Sequence, residues 1–268
     1  MLLGGKVTLI TGAARGIGRT TAIVMAAEGA KVGVADILPE VEETVQAIRA
    51  KGGMSAGTVF DISDPSQAAE GVKKIQQELG DIDILVNNAG IVNNIARLTK
   101  MSFEAWRKEI SVNLSGAFIM IQLVLGSMIK KKWGRIINIS SGGATGGLHM
   151  QVGYASSKSG LLGLTKTVTL EHARDGITCN AILPGLIGTE LVRMMPEEIL
   201  NNALTRIPAR RLGTMEEIAH LICFLASDQA GFINGEEIHV DGGMRLNVST
   251  LGSRKEIQET EGLKSRSQ

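Results

Sequence analysis

The chain has 268 residues, 44% hydrophobic and 21% charged, with a formal net charge of +1 at neutral pH. That composition describes a soluble globular protein with ample material for a core, and not a disordered or fibrous one. Near-balanced charge gives no electrostatic footprint for nucleic acid or for an anionic membrane, both of which favour clustered basic residues.

Taken in order, short β-branched runs alternate with longer segments of helical spacing. Lys6 to Gly12 (KVTLITG) reads as a strand, followed by a helix over Ile17 to Gly29. Lys31 to Asp36 is the second strand and Glu40 to Gly52 the second helix; Thr58 to Asp61 (TVFD) and Ser66 to Leu79 repeat the pair. Asp83 to Asn88 (DILVNN) is a strand before a long helix over Ser102 to Lys132. Arg135 to Ser140 (RIINIS), a helix over Tyr154 to Asp175, Ile177 to Ile182 and Glu237 to Asp241 complete the series. Near-continuous apolar strands separated by helices predict an α/β protein, a doubly wound parallel sheet with helices on both faces.

No targeting segment is expected, because Met1 to Leu3 is too short for a signal core before Lys6. The most membrane-like run, Leu114 to Ile129, carries Ser115, Gln122 and Ser127 and then meets three lysines. It is shorter than the ~20 apolar residues of a spanning helix, so it is expected as a buried helix, partly in a subunit interface. No composition break precedes Gly243, which favours one domain over residues 1–245 and a polar tail over 246–268. The tail is expected to be mobile, the alternative being an arm onto a neighbouring subunit. Cys179 and Cys223 lie in apolar runs; both are expected as buried free thiols, matching a reducing cytoplasmic location.

The first strand runs into TGAARGIG, with glycines at Gly12, Gly16 and Gly18. Such a turn lets the backbone approach a pyrophosphate, and the helix that follows offers free N–H groups and a positive dipole end to it. The spacing departs from the usual G-x-G-x-x-G, and a plain strand-to-helix turn remains open. Asp36 ends the second strand 18 residues beyond Gly18, where a carboxylate can accept hydrogen bonds from an adenosine ribose. A 2′-phosphate at ~4 Å would be repelled by roughly 4 kcal/mol before screening, which favours NAD(H), with NADP(H) not excluded. Arg15 is the counter-signal, since it can reach a 2′-phosphate; a solvated loop charge is the plainer reading.

Tyr154 is the only tyrosine, and Lys158 follows at i+4, on the same face of a helix. An ammonium near a phenol favours the phenolate. Lowering a tyrosine pKa from ~10 to ~7 takes about 4 kcal/mol, which the lysine and an oxidised nicotinamide ring together can supply, giving a general acid–base near neutral pH. A tyrosine packed at a helix start beside a surface lysine is the alternative. The four histidines show no ligand spacing, and no metal is expected.

Further residues stand around this pair: NISSG with Ser141, 13 residues before Tyr154; NNAG, from Asn87 to Gly90; Asn113 in the long helix; and Pro184-Gly185 with Thr189 shortly after. In order and spacing, over about residues 5 to 245, the set resembles the short-chain dehydrogenase/reductase family. The resemblance implies a Rossmann-type sheet, hydride transfer between a nicotinamide and a secondary alcohol or ketone, and a homotetramer built on the two long helices. It implies Tyr154 as acid–base, Ser141 polarising the substrate oxygen, Lys158 on the nicotinamide ribose, and Asn113 anchoring a water chain. Gly12, Arg15, Gly16, Ile17 and Gly18 match the pyrophosphate turn, Asp36 the ribose position, and Asp61 and Ile62 the adenine contact. Asn88, Ala89 and Gly90 flank the adenosine side, and Pro184, Gly185, Ile187 and Thr189 match the nicotinamide end.

Three stretches are expected to shape the substrate pocket: Asn93 to Leu98, Gly142 to Gly153, and Leu186 to Ile207, the last a lid or a plain surface helix. The first expectation for the substrate is a cyclic or hydroxyacyl secondary alcohol used with NAD. The alternative is a 3-oxoacyl-acyl-carrier-protein reductase using NADPH, a group the sequence also resembles; Asp36 and the absence of a basic residue at Ile37 weigh against it. A non-enzymatic dinucleotide sensor on the same fold is the remaining reading.

Overall fold

The computed structural model describes residues 1–246, so the expected tail lies, apart from its first residue, outside the described residues. The elements in chain order are β1 (Val7–Thr11), α1 (Gly16–Ala27), β2 (Lys31–Asp36), α2 (Val41–Arg49), β3 (Ser55–Val59), α3 (Pro65–Leu79) and β4 (Ile84–Asn87). Then come α4 (Phe103–Ile110), a π turn (Ser111–Ser115), α5 (Gly116–Lys131), β5 (Gly134–Ile139), α6 (Gly143–Gly146) and α7 (Val152–His172). The series ends with β6 (Ile177–Pro184), α8 (Glu190–Arg193), α9 (Glu197–Thr205), α10 (Met215–Leu225) and β7 (Glu237–Val240).

The seven strands form one parallel sheet in the order β3-β2-β1-β4-β5-β6-β7. Strand side chains alternate between two apolar layers, as a period of two requires. Ile10, Val34, Val86 and Ile137 face one layer with Met25 of α1, Ile48 of α2 and Ile222 of α10. Leu9, Ala35, Leu85 and Ile136 face the other with Ile75 of α3, Val124 of α5 and Val168 of α7. Fully burying one such aliphatic side chain stabilises the fold by about 1.5–3 kcal/mol.

Three expectations change in detail. The third strand is Ser55–Val59 and not Thr58 to Asp61: it pairs with β2 from Ser55 onward, and the Phe60 N–H makes the last bond, to the Asp36 carbonyl, while its ring packs on Gly71 of α3. The helix over Ser102 to Lys132 is two helices joined by the π turn that carries Asn113. Helix α10 was not among the expected helices, although Ile218, Ala219, Ile222 and Cys223 recur at helical spacing and Thr214 and Glu217 form a reciprocal capping box at its start. The span Phe103–Lys131 is long and apolar enough to cross a membrane by length and composition alone. Here Met120, Val124 and Met128 of α5 are fully buried against the sheet, which makes it a core helix. Cys179 and Cys223 are buried free thiols; burial pushes both up to about 12, so they are unreactive near neutral pH.

Candidate active site

The chain switches direction between β1 and β4, and in an open α/β sheet the crevice at that point, beyond the carboxyl ends of the strands, is where ligands bind. Thr11 ends β1, and its hydroxyl accepts from the backbone N–H of both Asn88 and Ala89 at 3.1 Å. The Asn88 amide donates back to the carbonyls of Thr11 and Gly12 at 2.9 Å each, clamping the glycine turn from the neighbouring strand end. Gly12 has φ +66°, and a Cβ there would lie 2.7 Å from the Ala89 Cα; only glycine suits that turn. A Cβ at Gly18 would collide with the Gly12 carbonyl, so α1 starts directly against the turn.

The extended N-cap of α1, Arg15, makes no side-chain cap, and the first turn holds no acidic residue. The N–H groups at Gly16 and Ile17 are thus presented at a bare, positively polarised helix start. This cradle fits a dinucleotide pyrophosphate. Asp36 stands beside it, its two carboxylate oxygens accepting from the Ala14 N–H at 3.0 Å and the Leu38 N–H at 3.1 Å. Each oxygen keeps a lone pair for a ribose hydroxyl. Arg15 is exposed.

Asp61 accepts from the Ser63 N–H at 2.8 Å and its hydroxyl at 2.6 Å, with Lys108 at 3.7 Å. Burial works against its charge, but Ser63 and the Lys108 ammonium prevail and hold the carboxyl below its usual range. The Ile62 side chain is buried against Gly116, so only its backbone is placed to meet an adenine. Across the crevice, Gly185 closes on Asp241, Ile187 is buried and bridges to Gly213, and Thr189 caps α8 through Val192 N–H. The Thr189 methyl comes within 3.8 Å of a Cβ built on Gly16, so the two expected ends of the cofactor site share one cleft.

The reactive residues meet at the end of β5. The Asn87 amide donates to Asn138 at 2.8 Å, Asn138 donates to Thr165 of α7 at 2.9 Å, and the Ser140 hydroxyl donates to the Lys158 carbonyl at 2.8 Å. This buried polar chain fixes α7 to the strand ends, so Ser141 and Tyr154 arrive on one side. The Tyr154 side chain is half-buried overall, with its phenol end largely desolvated. Burial raises its pKa above the ordinary value, the Ser141 hydroxyl pulls it partly back, and the Glu109 charge raises it further. The expected lowering by Lys158 is therefore absent from the protein alone. The reason is geometric: the Lys158 ammonium donates to the Ile139 carbonyl at 2.7 Å and stands 5.8 Å from the Tyr154 ring centre. Burial also depresses Lys158 itself to about 8.

Asn113 lies at the π turn, 1% exposed, and its amide is fully engaged. It accepts from the Ile91 N–H at 2.8 Å and donates to the Ile91 carbonyl at 2.9 Å and the Ser157 hydroxyl at 3.0 Å. The side chain thus locks the loop after β4 onto α7. Gly90 sits between, where a Cβ would lie 3.1 Å from the Lys158 ammonium.

Of the three stretches expected to shape the pocket, two meet. A cavity of about 480 Å³ is lined by Ala96, Arg97, Leu98, Leu148, His149, Met150 and Val152. The Ala96 N–H donates to the Met150 carbonyl at 2.8 Å across it. The third stretch forms α8 and α9, which bury no residue and expose Leu191, Met194 and Ile199. Neither the cavity of about 480 Å³ nor a larger hollow of about 970 Å³ along α4 is lined by Asn113, Ser141, Tyr154 or Lys158; Val152 brings the smaller one to within two residues of Tyr154 along α7. Glu109, fully buried beneath this site, was missed among the charges of WRKEIS. Its signal was periodicity, since Ala105, Glu109 and Val112 recur at helical spacing and all are buried.

The family model described as enoyl-(acyl carrier protein) reductase matches residues 12–245. The 3-oxoacyl-(acyl-carrier-protein) reductase of Thermotoga maritima is 43% identical over 91% of this chain and 99% of its own length. The acetoacetyl-CoA reductase of Shinella zoogloeoides is 42% identical over 89% and 98%. The crystal structure of levodione reductase superposes with a TM-score of 0.88 at 34% identity, covering 91% of this chain and 99% of that one. The chain therefore belongs to the short-chain dehydrogenase/reductase family, as an oxidoreductase acting on CH–OH or ketone groups.

Proposed function

We propose that the protein interconverts a 3-oxoacyl thioester and the matching 3-hydroxyacyl thioester with a nicotinamide dinucleotide. The observation that carries this is the likeness, across nearly the full length of each relative, to two reductases whose names both specify a 3-oxoacyl thioester. The reading places the 3-oxoacyl reductase ahead of the first expectation, a dehydrogenase of a cyclic or hydroxyacyl secondary alcohol used with NAD, which Asp36 favoured through the cofactor.

Gly12, Arg15, Gly16, Ile17 and Gly18 would hold the pyrophosphate, Asp36 the adenosine ribose, and Asp61 and the Ile62 backbone the adenine. Asn88, Ala89 and Gly90 would flank the adenosine, Lys158 with Tyr154 the second ribose, and Pro184, Gly185, Ile187 and Thr189 the nicotinamide end. When bound, the nicotinamide supplies the hydride for reduction or takes it in oxidation. The Tyr154 hydroxyl gives its proton to the ketone oxygen as the carbonyl carbon becomes CH–OH, and removes that proton in the reverse direction. The Ser141 hydroxyl donates to the same oxygen and stabilises the charge that develops there. A raised phenol pKa keeps Tyr154 protonated, as the reductive direction requires. Asn113 holds the Ile91 loop and Ser157 in register beneath Lys158, on the route by which Tyr154 would be reprotonated through water.

A second reading, an NAD-dependent dehydrogenase of secondary alcohols, is favoured by Asp36 and by the exposed, uncharged Ile37 beside it. Separate titrations with NADH and NADPH, followed by turnover of acetoacetyl-CoA and of a panel of secondary alcohols, distinguish the two. Reduction of acetoacetyl-CoA with either nucleotide supports the first reading. Activity confined to alcohols with NAD⁺ puts the second in its place. The exposed apolar side chains Phe103, Phe118 and Leu170 on α4, α5 and α7 support a subunit interface on these helices, and the enzyme is proposed as a cytoplasmic homotetramer; light scattering showing only monomer would contradict the tetramer.

A further inference from the structure

Glu109 is fully buried on α4. Its Oε1 accepts from the backbone N–H of Asn93 at 2.7 Å and of Asn94 at 3.2 Å. Its Oε2 is buried and has no hydrogen-bond partner. That oxygen occupies the space a side chain at Gly153 would fill, and the Met101 methyl crowds the same space. Gly153 lies in the first turn of α7, directly before Tyr154. Helix α7 has no side-chain cap and no acidic residue in that turn, so the carboxylate from α4 is the negative group facing its positive end.

The two segments that Glu109 touches lead into the two walls of the 480 Å³ cavity. Asn93 and Asn94 precede Ala96, Arg97 and Leu98; Gly153 follows Leu148 to Val152. We infer that Glu109 is a positioning residue that joins the two walls of the substrate cavity and fixes their separation beside Tyr154. It does not reach the substrate, since its side chain is fully buried and does not line the cavity. An uncharged apolar residue would fill the volume but leave two loop N–H groups without an acceptor. This inference rests on the proposed function and on this cavity receiving its acyl substrate.

The test measures steady-state kinetics with acetoacetyl-CoA, together with NADH affinity, for the wild type, Glu109→Ala and Glu109→Gln. Glu109→Ala is expected to raise KM about fivefold or more while kcat and the NADH Kd stay within about twofold. Glu109→Gln keeps an oxygen for the two N–H groups and is expected to restore KM to within about twofold of wild type. A wild-type KM in Glu109→Ala would overturn the inference, as would equal loss in KM, kcat and Kd without rescue by glutamine. If Glu109→Ala does not fold, Gly153→Ala probes the same contact from α7, with the same rise in KM expected and an unchanged KM fatal. Should the wild type not turn over acetoacetyl-CoA, the substrate reading fails by itself, and the same comparison is made on the secondary alcohol that is turned over.

Discussion

The floor and the rim of the cleft are built on different physics. The floor consists of strand ends, the start of α1 and the first half of α7; at α1 backbone meets backbone, Gly12 on Ala89 and Gly18 on Gly12, with Asn88 clamping Thr11 and Gly12. Few residue types satisfy such contacts. The rim consists of residues 91–101, 142–151 and 186–213, with exposed apolar side chains such as Leu98, Leu191 and Met194. Many sequences serve there equally well. On the proposed function, the floor would set the reaction class and the rim which ketone is accepted.

The largest expected effect falls on the floor. Tyr154→Phe removes the transferred proton and is expected to lower kcat by about 10³-fold or more, while NADH affinity, read by fluorescence titration, stays within about twofold of wild type. Substantial activity in that variant would move the chemistry away from the floor altogether.

Next comes Asp36→Asn, which keeps acceptors for Ala14 and Leu38 but removes the charge. The ratio of NADPH to NADH affinity is expected to rise about 10- to 100-fold. An unchanged ratio would assign nucleotide choice to Arg15.

The smallest effect separates stability from function within the floor itself. Lys158 titrates near 8 where an ordinary lysine titrates near 10.5, so the folded state disfavors its proton. This cost is full below about pH 8 and disappears above the unfolded value of ~10.4, so this group makes stability rise with pH between the two. Lys158→Met removes the cost, about 3 kcal/mol, but leaves the Ile139 carbonyl without its donor, worth about 1–2 kcal/mol. Denaturant unfolding of the apo-protein at pH 7 is expected to show a net gain of about 1–2 kcal/mol, with turnover lost. A variant less stable than wild type would mean that the buried ammonium supports the floor.

Legibility in the sequence followed the same division. The strand series was readable, and the glycine turn, Asp36 and the set of Asn113, Ser141, Tyr154 and Lys158 were readable as candidates, because each depends on a residue type at a fixed spacing. The extent of β3 was not, because it opens on the small residues Ser55, Ala56 and Gly57, which carry little strand signal. The π turn was not, because Ser111 to Ser115 keeps helical composition through a change in hydrogen bonding. Glu109 was hidden by its charge, which on a helix usually faces water. The direction of the Tyr154 shift needed three dimensions: helical spacing puts Lys158 on its face, but only the Ile139 carbonyl shows where the ammonium points.

The strand order has a consequence for how the chain reaches this state. Strands β1, β2 and β3 leave the ribosome first and can pair, yet the far side of β1 stays unpaired until residues 84–87 have been made. During that interval Leu9 and Ile10 lie at an open parallel edge, a template for another nascent copy. Parallel pairing between segments so distant in sequence is slow to form. The arrangement that opens a crevice for a nucleotide in the finished protein is therefore the point at which the unfinished one is most exposed to aggregation.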